Sequence, residues 1–156
     1  MPNKNTRRLA SLDLFAKCRR ADLVTIDRMA STIELAPGRR VCTEGEHGAQ
    51  FFVLLEGLAE LRTASGTMAM LHPGAWFGEI SLLEGAPRRA TVVSKTSVTL
   101  LVFGKREFQS LLALAPFVRL ELERTTARII RGSAPTLLPW YQPLPDDYAR
   151  IVAQCS

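Results

Sequence analysis

One short segment, residues 77–92, holds the residue types from which an anion-binding site can be built. It reads Phe-Gly-Glu-Ile-Ser-Leu-Leu-Glu-Gly-Ala-Pro-Arg-Arg-Ala-Thr-Val. Gly78 lets the main chain approach a ligand because it has no Cβ atom. Residues 79–84 can form about one and a half helical turns, and the free amides at the start of such a helix favour an anion.

The second half of the segment can bring a cation to the same place. Gly85 can adopt the left-handed conformation that ends a helix, and Pro87 fixes φ for a turn that returns Arg88. The carboxylate of Glu79 and the guanidinium of Arg88 would then flank the amides. On these residues alone an exposed basic turn is an equal alternative, because Pro-Arg-Arg after a glycine is common on protein surfaces.

Turn residues upstream extend this pattern over most of the chain. They are Gly38, the run Glu44-Gly45-Glu46, Gly57 and the pair Pro73-Gly74. Together with the specific spacing from Phe-Gly-Glu to Pro-Arg-x-Ala-Thr-Val, they resemble the cyclic nucleotide-binding domain family, whose phosphate-binding cassette is the segment 77–92. The match covers roughly residues 12–116. The resemblance implies a β-roll that the cassette interrupts.

The resemblance also implies which residues hold a cyclic nucleotide. Arg88 would pair with an exocyclic phosphate oxygen, where a guanidinium offers fixed N–H directions. Glu79 would accept a hydrogen bond from the ribose 2′-hydroxyl. The other cassette residues expected at the ligand are Phe77, Gly78, Ile80, Ser81, Arg89 and Ala90, and the amides of Gly78, Ile80, Ser81 and Arg89 would complete the cage.

Arg89 departs from the family pattern, which usually has alanine, serine or threonine after the phosphate arginine. A threonine there resembles the cGMP-preferring members, so its absence favours cAMP over cGMP. A long cation at this position could also contact the base, obstruct the pocket or point to solvent. A domain that keeps the architecture but has lost nucleotide binding is therefore an alternative.

In family members with a long C-terminal helix, residues of that helix or of the segment after it cap the base. The candidates here are Thr125, Thr126, Arg128 and the aromatic pair Trp140 and Tyr141. Stacking of an aromatic ring on the base is the sharper hypothesis for the pair. Anchoring of a tail onto the barrel is the alternative, since both aromatic residues lie among prolines.

Hydrophobic periodicity predicts helices near both ends of the chain and strands between them. Apolar spacings of three and four predict short helices over about 7–31 and further helices over about 105–131, with Pro116 in a first turn. Apolar runs punctuated by glycine and proline predict strands at 39–43, 50–56, 58–63, 67–72, 90–94 and 97–103, with a hairpin turn at 64–66. The strand at 50–56 contains the run Phe-Phe-Val-Leu-Leu, so both of its faces should be covered.

Short strands at even spacing, with one brief helix among them, favour an α+β, mainly β fold. We expect an antiparallel β-roll, a jelly-roll-like barrel over about 33–103, with short N-terminal helices, C-terminal helices and the cassette between barrel strands. The expected domain is 1–132, and a proline-rich tail, 133–156, would pack on or near it. At 156 residues and 47% hydrophobic content, the chain can build one core.

Composition narrows the function classes. The net charge of +5 permits nucleic-acid contact. The basic residues occur in pairs and not in runs, which is typical of solvated surfaces. No apolar run reaches the roughly 18 residues that span a bilayer, so we expect a cytoplasmic protein without membrane contact. Three scattered cysteines, Cys18, Cys42 and Cys155, indicate reduced thiols. His47 and His72 lack the His-x-His pattern of a metal-binding cupin, so we expect neither a metal nor an enzyme.

The expected function is therefore a non-enzymatic regulatory module. A cyclic nucleotide would be its partner, and movement of residues 116–132 would pass the signal to an effector protein that the sequence does not identify. The C-terminal helix could also pair two copies into a homodimer. A transcription-regulator relative or fragment is the alternative, but a winged helix-turn-helix needs roughly 60 residues after the long helix and 24 remain, so DNA binding is not expected.

Overall fold

The computed structural model describes residues 4–64, 66 and 68–130. Helices flank a region of eight strands, and one short helix interrupts the strands. The helices are α1 (Lys4–Ala10), α2 (Arg20–Met29), α3 (Glu79–Glu84), α4 (Lys105–Leu114) and α5 (Pro116–Ile130), with a 3-10 turn at Asp13–Phe15. The strands are β1 (Ser31–Leu35), β2 (Arg40–Cys42), β3 (Gln50–Glu56), β4 (Ala59–Arg62), β5 (Met68–Leu71), β6 (Trp76–Phe77), β7 (Thr91–Ser94) and β8 (Val98–Gly104).

The strands form two four-stranded antiparallel sheets, in the orders β1-β8-β3-β6 and β2-β7-β4-β5. Apolar side chains from both sheets meet in one cluster, which includes Leu54 and Leu100 of the first sheet and Leu61 and Leu71 of the second. This arrangement confirms the expected antiparallel β-roll of jelly-roll type. The recorded pairings join no strand of one sheet to the other, so the described residues form a sandwich and not a closed barrel.

β3 confirms the prediction of a strand covered on both faces. Phe51 and Val53 belong to the cluster that packs against the helices, whereas Phe52 and Leu54 belong to the cluster between the sheets. Alternate residues of a strand point to opposite faces, so every residue of the apolar run is buried. This strand carries two of the groups that position the site described below.

Two strands were not expected from the sequence. The helix predicted to continue to about residue 31 ends at Met29, and β1 begins at Ser31. β1 pairs along its length with β8, so a tertiary contact decides its conformation where local periodicity is ambiguous. β6 has two residues, which is too short for any periodic pattern to reveal.

The C-terminal helices follow the expected break. The amide of Ala115 donates to the carbonyl of Leu111 at the end of α4, and Pro116 opens α5. α5 contacts α4, the 3-10 turn and the cassette helix α3. The predicted tail at 133–156, with Trp140 and Tyr141, lies outside the described residues.

Candidate functional site

The cassette is a short helix between two left-handed glycines. β6 pairs with β3 and leads into Gly78, which has a φ of 96°, before α3 begins at Glu79. α3 ends at Gly85, which has a φ of 64°. Residues with side chains rarely adopt such values, so both glycines are required by the backbone path. The predicted helix and its glycine end are both present.

Arg88 is buried and is held by main-chain carbonyls. The residue is 7% exposed, Nη1 donates to the carbonyl of Gly78 at 3.1 Å, and Nη2 donates to the carbonyl of Gln50 at 3.0 Å. The guanidinium carbon also lies 5.7 Å from the ring centroid of Phe52, within the range of a cation–π contact. A guanidinium has five N–H donors, so these two bonds leave donors for an anion.

The main chain of Arg88 is fixed from the opposite side by the turn around residue 45. The amide of Arg88 donates to the carbonyl of Glu46 at 2.8 Å, and the amide of Gly45 donates to the carbonyl of Arg88 at 2.8 Å. Next to this pair, the amide of Glu44 donates to Oγ1 of Thr91 at 3.0 Å. The arginine therefore has both its backbone and its side chain placed by hydrogen bonds.

Glu79 is buried at the other end of the cassette without such support. The residue is 3% exposed, and its Oε2 has no hydrogen-bond partner among the described residues. Burial raises the pKa of this carboxyl to about 7, although its own backbone N–H and the positive charge of Arg88 act in the opposite direction. The structure records no ion pair between Glu79 and Arg88.

The remaining predicted residues lie around these two. Phe77 stacks on Phe52 with ring centroids 4.9 Å apart, and Ile80 and Ser81 are buried in α3. The carbonyl of Ala90 accepts a hydrogen bond from the Cys42 thiol at 3.7 Å. These residues join the cassette to the core of the roll.

Arg89 and Thr125 differ from the residues in the cage. The Arg89 side chain is exposed and makes no recorded hydrogen bond or ion pair with the described residues. Thr125 is buried in α5, and its Oγ1 donates to the carbonyl of Glu121 at 2.9 Å. Of the other base-cap candidates, Trp140 and Tyr141 lie outside the described residues, as do the side chains of Thr126 and Arg128.

Three residues at the site were missed by sequence reasoning: Gly48, Gln50 and Phe52. Gln50 contributes a carbonyl oxygen, which every residue type has, so no side-chain signal could reveal it. Phe52 lies inside an apolar run that core packing fully explains. Gly48 lies against the guanidinium of Arg88, and a missing side chain gives no sequence signal of such a contact.

The described residues contain neither a metal-binding cluster nor a membrane-spanning helix. No group of three or more His, Cys, Asp or Glu side chains is arranged to hold a metal ion. No helix is both long enough and apolar enough to cross a membrane.

Comparisons with known proteins agree on one family. The family profile described as "Cyclic nucleotide-binding domain" matches residues 32–114. A cyclic nucleotide-gated potassium channel of Mesorhizobium japonicum is 37% identical over 131 residues, which are 84% of this chain and 36% of the channel. The cAMP-dependent protein kinase regulatory subunit of Yarrowia lipolytica is 39% identical over 106 residues, which are 67% of this chain and 27% of the subunit.

A solved structure shares the fold of this chain. The catabolite activator protein of Thermus thermophilus superposes with a TM-score of 0.67 at 26% identity, over 76% of this chain and 58% of that chain. The curated relatives are much longer than this chain, which spans about a third of their length.

Proposed function

This chain belongs to the cyclic nucleotide-binding domain family, and we propose that it is a non-enzymatic regulatory module that binds cAMP through the cassette at residues 77–92. One observation carries the proposal. A buried arginine with donors to spare and a buried carboxylate with an unpartnered oxygen flank the same short helix. A cyclic nucleotide offers a phosphate for the first and a hydroxyl for the second.

The roles of the residues follow from these groups. Arg88 binds an exocyclic phosphate oxygen through charge-assisted hydrogen bonds, and Glu79 accepts the ribose 2′-hydroxyl through Oε2. The amides of Gly78, Ile80, Ser81 and Arg89 complete the cage. Phe77 and Ala90 support the two ends of the cassette through their contacts with the roll.

cAMP is the proposed ligand in preference to cGMP. The position after Arg88 holds an arginine and not the threonine that resembles cGMP-preferring members. Similarity to a cAMP-dependent protein kinase regulatory subunit supports the same choice. Thr125, Trp140 and Tyr141 are the candidates for contact with the base.

The proposed output is a movement of α4 and α5. α5 contacts the cassette helix α3, so closure of the cassette on a phosphate has a direct route to α5. The ligand drives this movement only if it binds the two arrangements with different affinities. Amide hydrogen exchange in α4 and α5 should therefore change when cAMP saturates the protein, and unchanged exchange would contradict the proposed output.

Titration calorimetry with cAMP and cGMP tests the ligand, the selectivity and the site together. We expect wild type to bind cAMP more tightly than cGMP, and Arg88→Ala to weaken binding roughly ten- to a hundredfold or more, because charge-assisted bonds contribute about 1.5 to 3 kcal/mol each. Arg106→Ala on α4 is the control, since it removes the same charge from an exposed site. Circular dichroism should establish that each variant is folded.

Other outcomes favour the alternatives. If neither nucleotide binds wild type, the chain keeps the family fold without the ligand. If the affinity of folded Arg88→Ala matches that of wild type, the assignment of Arg88 is wrong. A transcription-regulator relative is the second candidate, favoured by the similarity to catabolite activator protein, and DNA binding would distinguish it.

The wider context of the module is also proposed. We propose that residues 1–132 are the nucleotide-binding domain. We place the protein in the cytoplasm, acting on an effector protein, with α5 as the surface through which two copies could form a homodimer. Sedimentation analysis with and without cAMP would test the homodimer.

A further inference from the structure

The backbone conformation at Gly48 does not require a glycine. Its φ lies outside the left-handed range, which seven other glycines of the described chain occupy. A Cβ atom at this position would nevertheless lie 2.1 Å from Nε, 2.2 Å from Nη2 and 2.3 Å from Cζ of Arg88. These distances are far inside van der Waals contact, so the guanidinium occupies the space that a side chain would need.

Gly78 provides the comparison that isolates this effect. It also lies against the guanidinium, since its Cβ would be 2.6 Å from Nη1 of Arg88. However, Gly78 has a φ of 96°, and the same Cβ would be 2.6 Å from the main-chain carbonyl oxygen of Gln50. Backbone strain and a backbone collision therefore explain Gly78, whereas the three atoms closest to a Cβ at Gly48 all belong to Arg88.

We propose that Gly48 is a positioning residue: its missing Cβ provides the space in which the Arg88 guanidinium is held for the ligand. The inference rests on the proposed function, because Arg88 is the group that binds the phosphate there. Gly48 has no side chain, so it supplies neither a side-chain donor nor a charge. It acts through Arg88 by keeping the guanidinium between the two carbonyls and beside Phe52.

A methyl group at residue 48 should displace the guanidinium and leave the surrounding backbone in place. The colliding atoms are the end of a flexible side chain, which can rotate away, and residue 48 can accept alanine without a left-handed φ. The displaced guanidinium would lose its bonds to Gly78 and Gln50. Gly48→Ala should therefore reproduce part of the loss caused by removing Arg88.

A double-mutant cycle tests this coupling. cAMP affinity is measured by calorimetry for wild type, Gly48→Ala, Arg88→Lys and the double variant. We expect Gly48→Ala to weaken binding about tenfold in the wild-type background and by less than about twofold in the Arg88→Lys background, where no planar group fills the space. Equal losses in both backgrounds, or no loss in either, would overturn the proposal.

Gly104→Ala is the matched control. Gly104 also has a φ outside the left-handed range, and its Cβ would meet the end of a flexible side chain, Oε2 of Glu107, at 2.7 Å. Its three closest atoms all belong to Glu107, so the substitution should leave cAMP affinity within about twofold of wild type. A loss as large as that of Gly48→Ala would show a general effect of replacing glycine and would contradict the proposal.

A second readout needs no nucleotide and separates this inference from the proposed function. The cation of Arg88 lowers the pKa of Glu79, so moving the guanidinium away should raise that pKa further. Side-chain NMR titration of Glu79 should show the rise in Gly48→Ala and no further rise when Gly48→Ala is added to Arg88→Ala. If wild type binds no nucleotide, the proposed function fails, while this pKa coupling still decides whether Gly48 positions Arg88.

Discussion

The two buried charges of the cassette, Arg88 and Glu79, are held in opposite ways. The guanidinium of Arg88 donates to two main-chain carbonyls and lies beside an aromatic ring. The carboxylate of Glu79 is more deeply buried and has one oxygen without a partner. The arginine end of the site is therefore oriented before any ligand arrives, whereas the carboxylate end still lacks a hydrogen-bond donor.

This difference would let the proposed site favour a cyclic nucleotide over water and simple anions. Arg88 is already oriented, so binding a phosphate requires little further ordering of the cation. The ionised form of Glu79 is costly without a donor, and a ligand hydroxyl can remove part of that cost. A ligand with both an anionic group and a nearby hydroxyl satisfies both ends, whereas inorganic phosphate satisfies one.

Removing the charge of Arg88 should have the largest effect on stability. We expect Arg88→Met to lower the free energy of unfolding by roughly 3 to 5 kcal/mol at pH 8, since two charge-assisted hydrogen bonds to main-chain carbonyls are lost. Urea denaturation measures this change. The same variant should raise the pKa of Glu79 above its value of about 7, because the compensating cation is gone.

Arg89→Met is the matched control for this experiment. It makes the same substitution at the adjacent residue, whose side chain is exposed and has no recorded partner among the described residues. The free energy of unfolding should change by less than about 0.5 kcal/mol. If Arg88→Met lowers the free energy of unfolding as little as Arg89→Met does, the carbonyl contacts of Arg88 contribute little to stability. The contrast between Arg88 and Glu79 would then disappear.

The unsatisfied charge should make stability depend on pH. The pKa of Glu79 is raised from 4.5 to about 7 in the folded protein, so between these values the folded state holds a proton that the unfolded state has lost. The contribution of Glu79 to stability is therefore complete below pH 4.5 and falls as pH rises to about 7, by about 3 kcal/mol at most. Thermal unfolding from pH 5 to 8 should show this slope in wild type and not in Glu79→Gln.

Glu84→Gln is the control for the pH experiment, since Glu84 is an exposed carboxylate on the same helix. It should retain the slope. Burial raises the pKa of the Glu79 carboxyl, while the backbone N–H of Glu79 and the positive charge of Arg88 lower it. The nearby Cys42 thiol is another titratable group, and burial raises its pKa. A slope that persists in Glu79→Gln would assign the titration to another group.

Nucleotide binding should favour the ionised form of the Glu79 carboxyl. A 2′-hydroxyl that donates to Oε2 stabilises the carboxylate, so cAMP affinity should rise between pH 6 and pH 8. Glu79→Gln should flatten this dependence. A falling affinity would indicate that repulsion between the phosphate and the carboxylate exceeds the hydrogen bond.

The cassette could be predicted from sequence because its main features are local. Gly78, Glu79 and Gly85 lie within eight positions of one another, and the conformations of the glycines follow from residue type. The apolar run in β3 was equally readable, because burial on both faces leaves no polar alternation. Local sequence thus predicted the helix, its limits and the strand behind it.

The support around Arg88 could not be predicted in this way. Gln50 acts through its carbonyl, and Gly48 acts through an absent atom, so neither has a side chain that signals its contact with residue 88. Their proximity depends on the pairing of β3 with β6 and on the turn that fixes the Arg88 main chain. These are long-range contacts, which no short window of sequence contains.

Substitution of Arg89 should have the smallest effect on cAMP affinity among the cassette residues compared with Arg88. Its charge is next to that of Arg88, but its side chain is exposed and has no recorded partner among the described residues, so water and salt screen it. We expect Arg89→Ala to weaken cAMP binding by about threefold or less at 0.15 M salt and somewhat more at low salt. Calorimetry at the two salt concentrations measures both values. A gain in affinity would show that Arg89 obstructs the site, and a loss as large as that of Arg88→Ala would show that adjacent arginines bind the phosphate equally, against the distinction that burial makes between them.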